Sequence, residues 1–353
     1  MGFKFNQLST TKFIGILLLF LGFSRYYLGP IAFLSYFLSL FYIRYKLKLL
    51  DWFLFLSLFI LFILATLETG IFSSIMVFGF HWGFIFYYLF FKRFNKLFNI
   101  KILFYVFSLV TIIEGILVNT ILEAKNLPNY PIEEATSHFS SIWQRSYSFG
   151  GNSSVTGVLI ITLLTLLPFS KLRLLLVSVV MVFSSSASGV FSFFVYSVIN
   201  LRKFWKWSYL IIIFFIGLSI YFLNKRYGNE VGYFSKISFD YISLLLNDKS
   251  ERLVGTLRDM NFTQHIFGTF NPIYVGGDFS FLNFYRYHGV SGLIILGSII
   301  LTNLSSINKL PIFLLIFFSL HYYIIFSAPG QIILGYLLSL NRINKNTNLA
   351  RIY

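Results

Sequence analysis

Cysteine is absent from the 353 residues, which excludes disulfide bonds and thiol chemistry and leaves the redox compartment open. Charge is scarce too: 11% of the chain is charged against 57% hydrophobic, with 46 Phe. At a mean hydropathy of +0.77, such a chain is no water-soluble globule.

Other absences narrow the chemistry. The five histidines, His81, His138, His265, His288 and His321, form no His-x-x-x-His pair, and there is no Asp-x-Asp, so the ligand spacings of metal sites are missing. No glycine-rich nucleotide loop is present, which turns any sugar-transfer chemistry away from cytosolic nucleotide sugars and toward a lipid-linked donor. There is no repeat of fixed period and no low-complexity tail. No matched pair of interrupted helices, the mark of inverted-repeat transporters, is visible. No small-x-small cleavage site follows the apolar run after Lys4 and Lys12, so residues 1–24 are expected to hold an uncleaved first span.

What is present is a series of long apolar segments. About 20 such residues cross a bilayer as a helix, and the segments fall near 13–24, 27–43, 49–67, 70–91, 102–122, 153–169, 173–186, 187–201, 207–223, 287–303, 310–327 and 329–341. They run without the ten-residue alternation of a membrane barrel. The fold class is therefore all-α and polytopic: one membrane domain over residues 1–353, with about 12 spans, or about 11 where closely spaced segments join. The Ser184–Gly189 run reads as a tight turn between two helices, its small residues allowing close packing.

The net charge of +16 raises the question of nucleic acid, and topology answers it. With both termini cytoplasmic, most of the 28 Lys and Arg, from Lys4 and Lys12 to Arg342 and Arg351, fall on the inner side with one acid, Asp51. The charge orients the chain and implies no nucleic-acid partner. Two long outer loops remain, residues 123–151 and 224–286, each packed on the membrane bundle. In the second, Ser250 is expected to cap a short amphipathic helix whose apolar face carries Leu253, Leu257 and Met260 at the membrane surface. Gly268, Asn271-Pro272 and Gly276-Gly277 then turn the chain toward Asp278 and a second helix.

The candidate functional residues cluster in and beside these loops. Arg145, Arg252, Arg258 and Arg286 suit a pyrophosphate, because a guanidinium grips phosphate oxygens with two parallel bonds and stays charged. Ordinary pairing with Glu133, Glu134, Glu251 or Asp259 is the competing expectation. Glu114 lies within a span, where an acid costs roughly 2.5–3.5 kcal/mol by insertion scales. It is expected to face a cavity, to be protonated, or to hold a helix-packing hydrogen bond. His81 with Trp82, and His321 with Tyr322, read as satisfied polar groups inside the membrane rather than catalysts. Trp143, Tyr147, Tyr274 and Tyr285 are placed to stack on sugar rings, though at 21% aromatic content interfacial packing explains them as readily.

Ser250-Glu251-Arg252, Phe267-Gly268, Gly277-Asp278-Phe279-Ser280-Phe281-Leu282 and Tyr287-His288-Gly289 ahead of an apolar span together resemble the second outer loop of the Wzy-type O-antigen polymerases. Arg145 through Gly150, with Asn152-Ser153, resembles their first outer loop. The related O-antigen ligases carry His-Asn where Asp278-Phe279 stands here, while Leu282 and Gly289 keep the ligase spacing. The missing His favours polymerase over ligase.

The resemblance implies a cofactor-free, metal-independent glycosyltransferase of the bacterial inner membrane, joining undecaprenyl-pyrophosphate-linked oligosaccharides at the periplasmic face. It implies membrane lipid, a chain-length regulator and a repeat-unit flippase as partners. It implies that Arg145, Arg252 and Arg258 hold the pyrophosphate with Arg286 beside them, that Arg252 and Asp278 are catalytic, and that His288 is the substitute for Asp278 as proton acceptor. The alternatives are the ligase and, from another class, a repeat-unit flippase or transporter. Against the transporter stand the two long outer loops.

Overall fold

The computed structural model describes residues 15–17, 19–24, 34–35, 49–94, 98–120, 145–184, 186–200, 239–270 and 279–340. Among the described residues the chain is all α. The helices are α1 (Leu49–Thr69), α2 (Ile71–Trp82), α3 (Phe84–Phe94), α4 (Ile100–Thr120), α5 (Ser153–Thr165), α6 (Lys171–Ser184), α7 (Ala187–Ile199), α8 (Phe239–Asp259), α9 (Phe262–Phe267), α10 (Ser280–Thr302), α11 (Lys309–Ser319) and α12 (Ala328–Ser339). Among the described residues three stretches are long and apolar enough to cross a membrane: Asp51–Thr69, Ile100–Thr120 and Ser280–Thr302. The bent pair α2–α3 makes a fourth if taken as one span. Most of the span predicted at 27–43, all of that at 207–223, and the loop residues 123–144 and 224–238 lie outside the described residues.

The burial pattern follows from a lipid-facing surface. Helix α1 turns Trp52, Phe53, Leu56, Phe59, Ile60 and Ile63 outward, and α4 does the same with Ile102, Val106, Leu109 and Ile113. Apolar faces of that extent are costly in water and cost nothing in hydrocarbon. Two helices are enclosed all round. In α5 every residue from Ser153 to Leu164 is buried, and α12 is buried along its whole length. A helix apolar on every side has no reason to present one face outward.

Small residues let these central helices approach. A Cβ added at Gly157 of α5 would sit 2.8 Å from the Cα of Gly189 in α7, so these backbones touch. Ser186 caps α7 by accepting from the Gly189 amide at 3.1 Å and donates to Ser154 at 2.9 Å, which makes the serine run the turn that the sequence indicates. Gly335 of α12 seats against α3, where an added Cβ would lie 2.7 Å from the Tyr88 nitrogen.

The structure corrects several local readings. The segment predicted at 70–91 is two helices meeting at 57°. The helix expected after Asp278 and the span predicted at 287–303 run together as Ser280–Thr302 across Gly289, and the helix predicted at 310–327 ends at Ser319. Ser250 caps nothing. It lies inside the 21-residue α8 and donates to the Asn247 carbonyl at 2.8 Å, the back-bond by which a serine is accommodated within a helix. The cap falls to Asn261, which with Gln264 closes a reciprocal capping box at the start of α9.

Candidate functional site at two helix breaks

Among the described residues two apolar helices are interrupted, one at Gly83, two residues after His81, and one at Gly289, directly after His288. The first break lies at Gly83, between α2 and α3. A bend of this size strips helical partners from backbone carbonyls, and in lipid these must be satisfied from within the protein. Gln331 of α12 supplies a donor: its amide nitrogen reaches the Phe80 carbonyl at 2.5 Å and also, at 3.2 Å, the Gly79 carbonyl, which keeps its helical bond from the Gly83 amide at 3.1 Å.

The second break lies within α10 at Gly289, whose φ of 62° and ψ of −162° belong to a region open to glycine alone. Helix α9 and the residues after it form a strap across the opening. Thr269 and Phe270 donate their amides to the carbonyls of Arg286 (2.8 Å) and Tyr287 (3.3 Å), and the Ser291 hydroxyl donates to the Ile266 carbonyl. The backbones are so close that a Cβ on Gly268 would overlap the Tyr287 carbonyl, and one on Gly289 would lie 2.6 Å from the Gly268 nitrogen. The strap thus requires two glycines.

Between the breaks lie His81, Trp82 and His288. The Trp82 indole donates to Nε2 of His288 at 3.1 Å, and Nδ1 of His81 stands 3.0 Å from the same nitrogen. His81 is 5% and His288 0% exposed. Phe284 and Tyr287 pack on the His288 ring, with centroids at 4.8 and 4.7 Å, Phe78 meets its edge, and Phe326 covers His81 at 5.2 Å. The Nδ1 of His288 is buried and has no hydrogen-bond partner among the described residues. Polar rings enclosed this way inside a membrane bundle are uncommon and cluster at functional sites.

Glu114 has a different task. Its Oε1 accepts from the amides of Tyr147 (2.7 Å) and Ser148 (3.1 Å), and its Oε2 accepts from Ser148 at 3.0 Å. It holds a single turn of 3-10 helix, Ser148–Gly150, in which Ser148 has the left-handed φ of 47°. The Thr156 hydroxyl donates to the Tyr147 carbonyl, and the Ser146 amide donates to the Phe183 carbonyl at 3.0 Å. The carboxylate of Glu114 thus hydrogen-bonds the backbone of the turn. Arg145 enters this turn half-buried.

The remaining candidates divide between surface and interior. Arg252 and Arg258 are exposed on α8, Arg258 with its Nε 3.7 Å from its neighbour Asp259. Arg286 is half-buried on α10, its carbonyl anchoring the strap. Beside it in the chain, the Tyr285 hydroxyl stands 2.6 Å from Nδ1 of His265. Asp278 lies outside the described residues, and the N-cap position of α10 is Phe279, without a side-chain bond. Among the described residues no three His, Asp or Glu side chains group as metal ligands.

Sequence reasoning took His81 and Trp82 for satisfied polar groups and missed that they meet His288. It also missed Gln331 and the pairing of interrupted helices. The available signal was a histidine just ahead of a glycine within an apolar segment, as His81-Trp82-Gly83 and again as His288-Gly289. Fold and site together define an all-α protein with helices long and apolar enough to cross a membrane and a buried polar centre at two helix breaks. None of the family models, curated proteins or solved structures compared with the chain matches it.

Proposed function

We propose that the chain is a polytopic glycosyltransferase of the bacterial inner membrane, of about 12 spans, that polymerises undecaprenyl-pyrophosphate-linked repeat units in the manner of the Wzy-type O-antigen polymerases. What carries the reading is the strap. Phe267-Gly268 and Tyr287-His288-Gly289, two of the segments that resemble that family's second outer loop, come together at the Gly289 break: Gly268 lies against the Tyr287 carbonyl, and the next residues, Thr269 and Phe270, donate their amides to Arg286 and Tyr287.

In the reaction, a hydroxyl oxygen at the non-reducing end of a newly delivered unit attacks the anomeric carbon of the growing chain. The bond from that carbon to the pyrophosphate oxygen breaks, the electron pair leaves with the pyrophosphate, and the hydroxyl proton passes to a base. Arg145, Arg252, Arg258 and Arg286 supply the guanidinium groups for the developing negative charge. Asp278 is the base, with His288 as the substitute.

Deleting the gene and running lipopolysaccharide on a gel tests the reading. Core plus one repeat unit, restored to a ladder by the wild-type gene, is expected. Bare core would sink the polymerase and leave the ligase or a transporter. The transporter has one observation in its favour, the paired helix breaks around buried polar rings, which is how broken-helix transporters build substrate sites. For it, repeat units would remain on the cytoplasmic side.

A further inference from the structure

The tautomer of His288 follows from its neighbours. Indole nitrogen has a hydrogen to give and no lone pair to offer. The 3.1 Å contact from Trp82 therefore makes Nε2 of His288 an acceptor, and a neutral ring then carries its proton on Nδ1. A ring nitrogen has a single in-plane lone pair. His81, at 3.0 Å from that same Nε2, can engage it only by sharing it with Trp82. Both partners thus crowd one side of the ring, while the other side keeps a buried N–H with no acceptor among the described residues. A buried donor left open in this way costs free energy unless something comes to meet it.

The position of that donor gives it a use. His288 immediately precedes the Gly289 break, and the strap from Ile266 to Phe270 closes over the break through backbone bonds. The groups packed around the pair are Phe78, Phe284, Tyr287, Phe326 and the Trp82 ring, of which Tyr287 alone can titrate. An N–H in such a dry aromatic seat strengthens any bond it makes to an oxygen bearing negative charge.

We propose that Trp82 and His81 are positioning residues for His288: they occupy its Nε2 and hold its Nδ1–H at the Gly289 break as a hydrogen-bond donor to an oxygen of the lipid-linked saccharide. The inference rests on the glycosyltransferase reading for the identity of that oxygen, and on geometry alone for the tautomer. It reassigns His288, which donates to substrate and leaves proton acceptance to another group.

Two measurements test this. The first records nitrogen NMR of histidine-labelled protein in micelles, with the His288 signals identified by their loss in His288→Asn. The proton is expected on Nδ1 in the wild type, and Trp82→Phe is expected to shift the Nε2 signal. A proton on Nε2 in the wild type would overturn the proposal whatever the enzyme does. The second compares side chains that mimic half of the ring. Asn sets its amide nitrogen near the place of Nδ1, whereas Gln sets its amide near the place of Nε2. At normal protein level, His288→Asn should keep a shortened ladder and His288→Gln should give core plus one unit. Gln working where Asn fails would reduce His288 to a holder of Trp82. Two equal phenotypes would also defeat the proposal. If gene deletion gives bare core, the polymerase reading fails while the nitrogen spectrum still decides the tautomer.

Discussion

The polar centre between α2 and α10 and the arm formed by α8 and α9 contain similar residue types and behave as opposites. On the arm, Arg252 and Arg258 stand in the open, and the Arg258–Asp259 contact joins side chains that are 81% and 61% exposed. An exposed pair of that kind contributes about 0–1 kcal/mol, less in salt. At the centre, polar rings from positions 207 residues apart meet at 3.0 Å with no exposed surface on one of them. On the arm, water can satisfy the exposed polar groups. At the centre water is excluded, so a polar group there depends on a partner brought to it by packing, and the Nδ1 of His288 is left without one among the described residues.

The largest effect that separates the two regions is expected at the strap. Gly289→Ala places a side chain in a left-handed conformation and against the Gly268 backbone, so it should destabilise the protein by about 2 kcal/mol or more. Unfolding temperature in detergent, together with protease cleavage within residues 262–270, reads it out. An unchanged profile would mean that the strap does not depend on the break.

Next comes Glu114. Glu114→Ala leaves the buried amides of Tyr147 and Ser148 without an acceptor, a loss of about 1–3 kcal/mol. Glu114→Gln retains one acceptor oxygen and should lose less. Equal melting shifts for the two would show that the charge, rather than the hydrogen bonds, holds the turn.

Gln331→Leu should be milder, about 1 kcal/mol, because it removes one amide that serves the Gly79 and Phe80 carbonyls while keeping the volume. The loss should appear as faster hydrogen exchange in α2 and α3. Exchange that quickens elsewhere and not there would contradict the capping of the Gly83 bend.

The smallest stability effect belongs to the arm, and there the comparison is sharpest. Arg252→Lys and Arg258→Lys should move stability by less than about 0.5 kcal/mol, as exposed substitutions do. Arg252→Lys should nevertheless lose most polymer length, because a single ammonium cannot reproduce a forked grip on phosphate. Arg258→Lys should follow it if the two share the clamp. A normal ladder from both variants would leave simple charge as the whole contribution of the arm.

Much of the frame is legible in the residues. Apolar runs locate α1, α4 and α7 within a few positions, since α1 spans Leu49–Thr69 where the run spans 49–67. The serine run marks the turn into α7. Less of the site is legible. Nothing local separates a capping Ser250 from one that back-bonds within a helix, because both uses satisfy the hydroxyl. Glu114 and His288 stand out as polar residues in apolar surroundings, but neither position reveals its partner.

The sequence by itself determined that this chain contains helices apolar and long enough to cross a membrane, because hydropathy is local and adds along the chain. Tertiary structure alone decided where those helices break, that Gly289 takes a left-handed φ, and that His81, Trp82 and His288 converge. The physical reason is the medium. Inside a bilayer a polar group cannot be satisfied by water, so its partner is whichever distant residue the packing brings within hydrogen-bond reach.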